Sequence, residues 1–358
     1  MPSQQIDYAN DDADPIQGYS PAGQLLNLIS GYWVTQAIYV AAELGIADLV
    51  GKKARSVDDL AQQTQSHAPS LYRVLRALAS VGIFAETAPC SFVQTPMGAL
   101  LRSGMPGNLA AFSRMQGDHW HWDAWGAIVD SVRSGKSAMS LRHNKANCFD
   151  YLATNQASAA LFNTAMGSYA SQANAAVVDA YNFSGAKVIV DVGGGEGTLL
   201  SMILDGAPQA RGVVLDRAEV LAGAMALFQQ YGVADRCRTI AGDFFHNVPE
   251  GGDIYVLSSV LHDWNDDQAT AILRNIGAAM MPNARLLIVE HVVPDGNESH
   301  PGKFIDLEMM LITGGKERTA REYQSLLTKA GFDIQQLIPT AVSATVIEVQ
   351  RSTEYPNR

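Results

Sequence analysis

The sequence has few cysteines and no long apolar run, and each shortage argues against a class of protein. Its three cysteines, Cys90, Cys148 and Cys237, lie far apart and form no Cys-x-x-Cys pair. We therefore expect neither a disulfide framework nor a cysteine zinc site, and the usage is typical of a reducing, cytoplasmic environment. No apolar run approaches the roughly 18 residues that cross a bilayer, so we expect no membrane segment. The polar, acidic start of the chain lacks the pattern of a secretory signal.

Basic residues are also scarce. Lysine and arginine number 25 against 36 aspartates and glutamates, which gives a net charge of −11. Because an acidic chain repels a phosphate backbone, we predict no nucleic-acid partner. What is abundant is apolar material, at 47% of 358 residues, which is enough for two domains or for one large domain with an appendage.

The amino-terminal half of the chain has mostly helical spacing. We interpret residues 1–20 as a flexible arm and residues 21–107 as a winged-helix-like domain, because two helical stretches precede a loosely alternating segment at 83–95. A winged helix either reads DNA or serves as a packing or dimerisation module. The second helix offers Arg73 and Arg76 but few other cations, so we favour dimerisation. Residues 108–180 continue the helical pattern and are predicted to link the domains and border a substrate cleft.

From residue 181 to residue 351 the pattern predicts an α/β domain. Short apolar runs typical of buried strands alternate with helical stretches, one of which is predicted over 218–231. This alternation indicates a doubly wound, Rossmann-like parallel sheet. Two strand-like runs at 332–338 and 343–350 are joined by a short turn, which predicts an antiparallel hairpin at one edge.

A glycine loop follows the first of these strands. Gly193, Gly195 and Gly197 allow the backbone to turn tightly and approach a ligand. Thr198 stands where the dinucleotide fingerprint requires glycine, and no Gly-Lys-Ser/Thr of a P-loop is present. The loop therefore suits an adenosine-type cofactor other than a nicotinamide dinucleotide or a triphosphate.

Two aspartates lie at the ends of the next strands. Asp216 follows the middle glycine by 21 residues. At about this spacing, a carboxylate accepts hydrogen bonds from the ribose hydroxyls of a bound cofactor. Asp243 could accept an adenine amino group while Phe244 packs on the ring. Both aspartates could instead cap the following helices, although their place at the carboxyl ends of parallel strands favours a ligand site.

Four motifs in register resemble one family. They are the glycine loop, Gly242-Asp-Phe-Phe245, Leu261-His-Asp-Trp264 and Gly314-Gly-Lys-Glu-Arg-Thr319. Together they resemble the small-molecule O-methyltransferases that use S-adenosylmethionine, with the bacterial natural-product branch most similar, over residues 25 to 350. The resemblance implies a class I methyltransferase sheet, a homodimer, S-adenosylmethionine as the cofactor and no metal.

The resemblance also implies roles for single residues. His262, whose ordinary pKa near 6.5 suits a general base, would take the proton of the acceptor hydroxyl. Glu290 and Glu317 resemble the acidic partners of this base. The residues implied to bind the cofactor are Gly193, Gly195, Asp216, Asp243, Phe244 and Ser258.

The acceptor site is implied less directly. Phe162 and Met166 lie one helical turn apart, and the resemblance places them near the acceptor together with Met309. Met and aromatic residues at this spacing also occur in plain cores. Asp263 either contacts the substrate or caps a helix. The aromatic cluster from His119 to Trp125 is interpreted as a wall of the cleft or a dimer contact.

These expectations lead to one reading and two alternatives. The chain is predicted to methylate a phenolic or otherwise acidic hydroxyl of an aromatic natural product. The same fold could instead use the cofactor for hydroxylation or decarboxylation, or the winged helix could belong to a ligand-responsive regulator. Thr198 argues against a nicotinamide dehydrogenase.

Overall fold

The computed structural model describes residues 20–105 and 107–352. The predicted arm at 1–20 therefore lies outside the described residues except for Ser20. The amino-terminal part is mainly helical and carries a small three-stranded sheet of order β1-β3-β2. Its elements are α1 (Pro21–Ile29), α2 (Gly31–Glu43), α3 (Ile46–Leu49), β1 (Arg55–Ser56), α4 (Val57–Gln63), α5 (Ala68–Ser80), β2 (Phe84–Ala88), β3 (Ser91–Gln94) and α6 (Pro96–Ala99). The hairpin of β2 and β3 confirms the predicted wing.

The expectation about membrane segments needs a correction. Pro21–Glu43 is long and apolar enough to cross a bilayer when only length and composition are considered. The structure divides this segment at Ser30, where the hydroxyl bonds the carbonyl oxygen of Leu26 at 2.8 Å. The helices α1 and α2 carry a largely exposed apolar face. Such a face marks a surface that associates with something else.

Helices also fill the middle of the chain, as the periodicity predicted. They are α7 (Ala110–Gly117), α8 (His119–Gly126), α9 (Ile128–Ser134), α10 (Ala138–His143), α11 (Cys148–Leu152) and α12 (Gln156–Ala180). Their apolar faces share one buried cluster with the end of a later helix, α16 (Gly302–Ile312), through Leu311 and Ile312. This packing attaches the middle helices to the carboxyl-terminal domain.

The carboxyl-terminal domain contains the predicted doubly wound sheet. Its elements are β4 (Val188–Val192), α13 (Thr198–Gly206), β5 (Arg211–Asp216), α14 (Ala224–Gln230), β6 (Cys237–Ala241), β7 (Ile254–Ser258), α15 (Asp266–Ala279), β8 (Arg285–Glu290), α16 (Gly302–Ile312), α17 (Ala320–Ala330), β9 (Phe332–Pro339) and β10 (Thr345–Arg351). The seven strands have the order β6-β5-β4-β7-β8-β10-β9. β10 is antiparallel to both neighbours, which confirms the edge hairpin.

The sheet order places the site. The chain leaves β4 toward β5 on one side and later returns to β7 on the other, so the order reverses beside β4. Ligands of open α/β sheets bind at such a reversal, outside the carboxyl ends of the strands. Apolar clusters cover both faces of the sheet and hold this edge rigid.

One predicted helix is wrong in its extent. The helix predicted over 218–231 is a 3₁₀ turn at Val220–Gly223 followed by the shorter α14. Gly223, the last residue of the 3₁₀ turn, packs closely on the Glu196 carboxylate, which a Cβ at this position would overlap.

Candidate active site

The glycine loop follows β4 and packs closely against the side chains of Phe228 and Val214. Gly193, Gly195 and Gly197 have φ of 71°, 61° and 87°, which is the left-handed region that favours glycine. A Cβ on Gly197 would overlap the side chains of Phe228 and Val214 beneath it. Above Gly195, by contrast, a Cβ would meet nothing within 4 Å among the described residues. The loop therefore presents open backbone on the ligand side.

The two predicted strand-end aspartates make different contacts. The carboxylate of Asp216 accepts the backbone N–H of Gly195 at 2.8 Å and that of Arg217 at 2.7 Å, which ties the end of β5 to the glycine loop. Asp243 accepts the N–H of Phe245 at 2.8 Å and lies 3.1 Å from Nδ1 of His246. Asp243 thus stabilises its own turn, whereas Asp216 belongs to the floor of the loop.

Aromatic rings border the same edge. The ring of Phe244 packs against Gly193, where a Cβ on the glycine would lie 3.4 Å from the ring. The ring centroids of Phe244 and Trp264 are 6.1 Å apart. Ser258 ends β7, half-buried, one strand further along the sheet. Of the residues predicted to bind a cofactor, the structure therefore places Gly193, Gly195, Phe244 and Ser258 along one sheet edge with Asp216, and Asp243 next to Phe244.

His262 lies in a 3₁₀ turn, Leu261–Asp263, directly before α15. Its Nδ1 is 2.7 Å from Oε1 of Glu317 and 3.5 Å from Oε2 of Glu290. A carboxylate only accepts hydrogen bonds, so the proton of Nδ1 points to Glu317 and Nε2 faces the opposite way. Both glutamate side chains are fully buried, while 12% of His262 is exposed. The three residues predicted as the catalytic group are thus brought together.

Glu290 also shapes the turn that carries His262. Its Oε1 accepts the backbone N–H groups of Val260 at 3.1 Å, Leu261 at 2.8 Å and His262 at 3.4 Å. These donors belong to the first residues of the 3₁₀ turn, which lack carbonyl partners of their own. The carboxylate at the end of β8 therefore holds the turn and partners the imidazole at once.

Asp263 faces His262 and does not cap the helix. The cap of α15 is Asn265, whose Oδ1 accepts the N–H groups of Asp267 at 3.1 Å and Gln268 at 3.0 Å. Asp263 instead places Oδ1 3.8 Å from Nε2 of His262. The capping role predicted for Asp263 is therefore wrong, and its contact with the substrate stays a prediction.

The pKa values of His262, Asp263 and Glu290 are all raised above their ordinary values. Burial alone would lower the pKa of His262, but the charges of Glu290, Asp263 and Glu317 raise it to about 10. Burial raises the pKa of Asp263 to about 6, with His262 opposing the shift, and raises that of Glu290 to about 7 in the same way. Three acidic side chains around one imidazole therefore stabilise the imidazolium that forms when a base takes a proton.

The same cluster has the donor set of a metal site. One ligand atom each from His262, Glu290 and Glu317 lies within 4.8 Å of the others. The 2.7 Å contact between His262 and Glu317 is fully accounted for by a shared proton. The expectation that no metal is required stays a prediction.

Two of the three predicted acceptor residues, Phe162 and Met166, pack against one buried helical cluster. Trp125 and Met310 pack against the same cluster, which contains Cys148, and Phe162 meets the ring of Phe149 edge-on at 6.3 Å. Met309 precedes Met310 on α16, and its sulfur lies 3.8 Å from the hydroxyl of Thr313. Phe149 in turn stacks on Trp264 at 6.0 Å, beside the turn of His262.

Two family models match consecutive parts of the chain. Residues 26–104 match the O-methyltransferase dimerisation domain, and residues 125–333 match the O-methyltransferase domain. The chain belongs to the O-methyltransferase family. The predicted resemblance and enzyme class are confirmed.

Individual relatives agree with this assignment. The phenazine O-methyltransferase PhzM of Lysobacter antibioticus is 44% identical over 326 residues, which are 91% of this chain and 95% of the relative. The mitomycin biosynthesis 6-O-methyltransferase of Streptomyces lavendulae is 36% identical over 91% of this chain and 93% of its own length. The crystal structure of LaPhzM superposes with a TM-score of 0.90 at 43% identity, over 93% of this chain and all of that one.

Sequence reasoning missed Arg318 in this O-methyltransferase. The guanidinium is fully buried and donates to the carbonyl oxygens of Leu261 at 2.9 Å and Trp264 at 2.8 Å, and to Asp266 at 2.9 Å. It therefore clamps the turn of His262 from beneath. Its place directly after Glu317 in a recognised motif was the available signal, but nothing in the sequence says which backbone it would hold.

Asp191 was also missed, and it carries a stability prediction. This buried carboxylate lies under the glycine loop, and burial, together with the charge of Asp216 and against the N–H of Leu200, raises its pKa to about 7. Since the folded pKa exceeds the ordinary value of 3.8, the folded state binds more protons, so stability falls as pH rises from about 4 to about 7. We expect Asp191→Asn to unfold at a free energy roughly 2–4 kcal/mol higher than wild type at pH 8.

Urea denaturation of both proteins at pH 5 and at pH 8 measures this. The variant should exceed wild type by more at pH 8 than at pH 5, because only part of the penalty is present just above the ordinary pKa of 3.8. An equal difference at the two pH values would contradict the assignment of the titrating group to Asp191.

Proposed function

We propose that this O-methyltransferase moves the methyl group of S-adenosylmethionine to a phenolic or otherwise acidic hydroxyl of an aromatic natural product, with His262 as the general base. One observation carries the base: Nδ1 of His262 is 2.7 Å from the buried Glu317, which leaves Nε2 as the nitrogen that faces an acceptor. When bound, the sulfonium supplies an activated methyl group. Two bacterial relatives are named as a phenazine O-methyltransferase and a mitomycin biosynthesis 6-O-methyltransferase, and these names support the acceptor class.

The chain's own residues fit an adenosine-type donor. Open backbone above Gly195 gives the donor close access, and Asp216, already aligned by the N–H of Gly195, keeps lone pairs for ribose hydroxyls. Phe244 offers an apolar face for the adenine ring, and Asp243 beside it offers a carboxylate. Ser258 adds a hydroxyl at the end of β7. A relative solved with S-adenosylmethionine bound, human N-acetylserotonin methyltransferase, has the same fold at a TM-score of 0.86.

The base and the acceptor are matched in proton affinity. A free phenol has a pKa near 10, and the three carboxylates raise the pKa of His262 to about 10. Proton transfer between matched groups needs little driving force, and Glu290 and Glu317 stabilise the resulting imidazolium. A bound sulfonium would shift the pKa of His262 downward by like-charge repulsion, which favours the neutral imidazole that acts as a base.

We also propose that the enzyme is a cytoplasmic homodimer divided as the sequence predicted, at residues 107 and 180. Support comes from the match of residues 26–104 to a dimerisation domain and from the apolar surface of α1 and α2. The large apolar residues exposed there are Leu25, Leu26, Leu28, Ile29, Tyr32, Trp33 and Val34. A face of this size is stable in water when a second copy covers it.

A panel experiment tests the function. Phenazine, polyketide and simple phenolic acceptors are incubated with enzyme and S-adenosylmethionine, and the molecular masses of the products are measured by mass spectrometry. We expect a gain of one methyl group for at least one hydroxylated acceptor, together with heat on titrating S-adenosylhomocysteine in a calorimeter. A gain of one oxygen or a loss of carbon dioxide would instead support hydroxylation or decarboxylation, and an absence of binding heat would refute the donor.

A further inference from the structure

The aromatic cluster on α8 has a polar partner on α16. Oε1 of Glu308, on α16, lies 2.6 Å from Nε2 of His121, and Oε2 accepts the indole N–H of Trp125 at 2.6 Å. His121 is 1% exposed and Glu308 21%. One carboxylate thus connects the helical segment to the catalytic domain through two short hydrogen bonds.

The helix α16 continues this connection to the catalytic cluster. Asp306 on α16 accepts the backbone N–H of Glu317 at 2.8 Å. Beyond the end of α16, the hydroxyl of Thr313 accepts the N–H of Gly315 at 3.2 Å, and the N–H of Lys316 reaches the carbonyl oxygen of His262 at 2.9 Å. Any displacement of α16 therefore moves both Glu317 and the turn of His262.

The acceptor side is attached to the same brace. Trp125 packs in the cluster that contains Phe162 and Met166, and Met309 follows Glu308 on α16. A carboxylate in such surroundings loses hydration that an apolar side chain would never have had. Two directed hydrogen bonds compensate for that loss and fix the rotation of α16, which apolar contacts alone define poorly.

We propose that Glu308 is a positioning residue for the methyl acceptor. Held by His121 and Trp125, it sets α16 so that Met309 and the catalytic turn meet the acceptor in the reactive geometry. The inference rests on the proposed function. It assigns Glu308 no contact with the donor, so donor binding separates a failure of this inference from a failure of the function.

Three variants test the brace. Glu308→Leu keeps bulk and removes both hydrogen bonds. In Glu308→Gln the amide oxygen can still accept the indole N–H of Trp125. The amide NH₂ can donate to Nε2 of His121 if the imidazole carries its proton on Nδ1. Nδ1 of His121 has no hydrogen-bond partner among the described residues. Trp125→Phe removes one bond and retains a ring. Glu298→Leu changes an exposed carboxylate and serves as the control.

The measurements are the KM for a hydroxyphenazine, the Kd for S-adenosylhomocysteine and the amide hydrogen exchange of residues 302–319. We expect Glu308→Leu to raise KM about tenfold or more and to speed exchange, Trp125→Phe to give a smaller increase, and Glu308→Gln to stay within about threefold of wild type. The Kd should change less than about twofold in all of them. In Glu308→Leu, adding Trp125→Phe should have no further effect.

Three results would overturn the proposal. Wild-type KM and exchange in Glu308→Leu would show that the brace positions nothing. Equal losses in Glu308→Gln and Glu308→Leu would assign the effect to charge instead of to the hydrogen bonds. A large loss of donor affinity would assign Glu308 to the donor site. If wild type itself failed to bind S-adenosylhomocysteine, the proposed function would fall first.

Discussion

Replacing His262 by alanine is expected to lower kcat for methyl transfer by about 10²–10⁴-fold, the usual contribution of a positioned base. Binding of S-adenosylhomocysteine should stay close to wild type, because the imidazole is buried against Glu290 and Glu317 and is proposed to serve the acceptor instead of the donor. The comparison requires purified enzyme and the acceptor identified by the panel. His67→Ala, an exposed histidine in the amino-terminal domain, is the matched control.

The pH dependence gives this prediction a second readout. The base acts in its neutral form, so the rate falls as pH drops through the pKa of His262 in the complex with the donor. The surrounding carboxylates raise that pKa to about 10 in the free enzyme, against burial, and a bound cation lowers it. The rate should therefore rise between about pH 6 and about pH 9 in wild type, and the rise should be absent from His262→Ala.

Unchanged turnover in His262→Ala would remove the imidazole from the mechanism. A pH profile that keeps its shape in the variant would do the same, because the titrating group would then lie elsewhere. Added imidazole that restores part of the rate would strengthen the assignment, since the variant leaves space beside Glu317.

The second large effect is expected at Gly315. A Cβ there would overlap the carbonyl oxygen of His262 and the backbone of Asp263 and Trp264. These atoms have little freedom to retreat, because Lys316 bonds the carbonyl oxygen of His262 and Arg318 bonds that of Trp264. We expect Gly315→Ala to lower the free energy of unfolding by roughly 1–3 kcal/mol.

The loss of activity in Gly315→Ala should exceed what the loss of stability explains. Relief of the overlap shifts the turn of His262, and a misplacement of about 1 Å costs on the order of 10² in rate. Thermal unfolding and kcat, both measured well below the unfolding temperature, separate the two effects. Gly185→Ala is the control, since a Cβ there meets nothing within 4 Å among the described residues. Full activity in a folded Gly315→Ala enzyme would contradict the close packing of the turn.

Local patterns were sufficient for the fold and for the chain order of the site. The run Val188–Val192 is typical of a buried strand because four of its five residues are apolar and β-branched, and glycines directly follow it. Thr319 and Glu322 form the capping box of α17 at a spacing of three residues. Such signals involve neighbours a few positions apart, so the sequence carries them completely. The extent of α14 was missed because a 3₁₀ turn at the start of a helix has no distinct apolar spacing in the sequence.

The pairing of side chains around the reaction was beyond the reach of such patterns. His262 meets Glu317 across 55 positions, and His121 meets Glu308 across 187. Arg318 could have been a surface charge by composition, yet it is buried beneath the turn of His262. The amino-acid sequence by itself determined the family and the sheet, and it predicted the candidate reactive groups. Only the tertiary structure decided which carboxylate each histidine faces, because that choice depends on how packed helices and strand ends bring distant residues within hydrogen-bond distance.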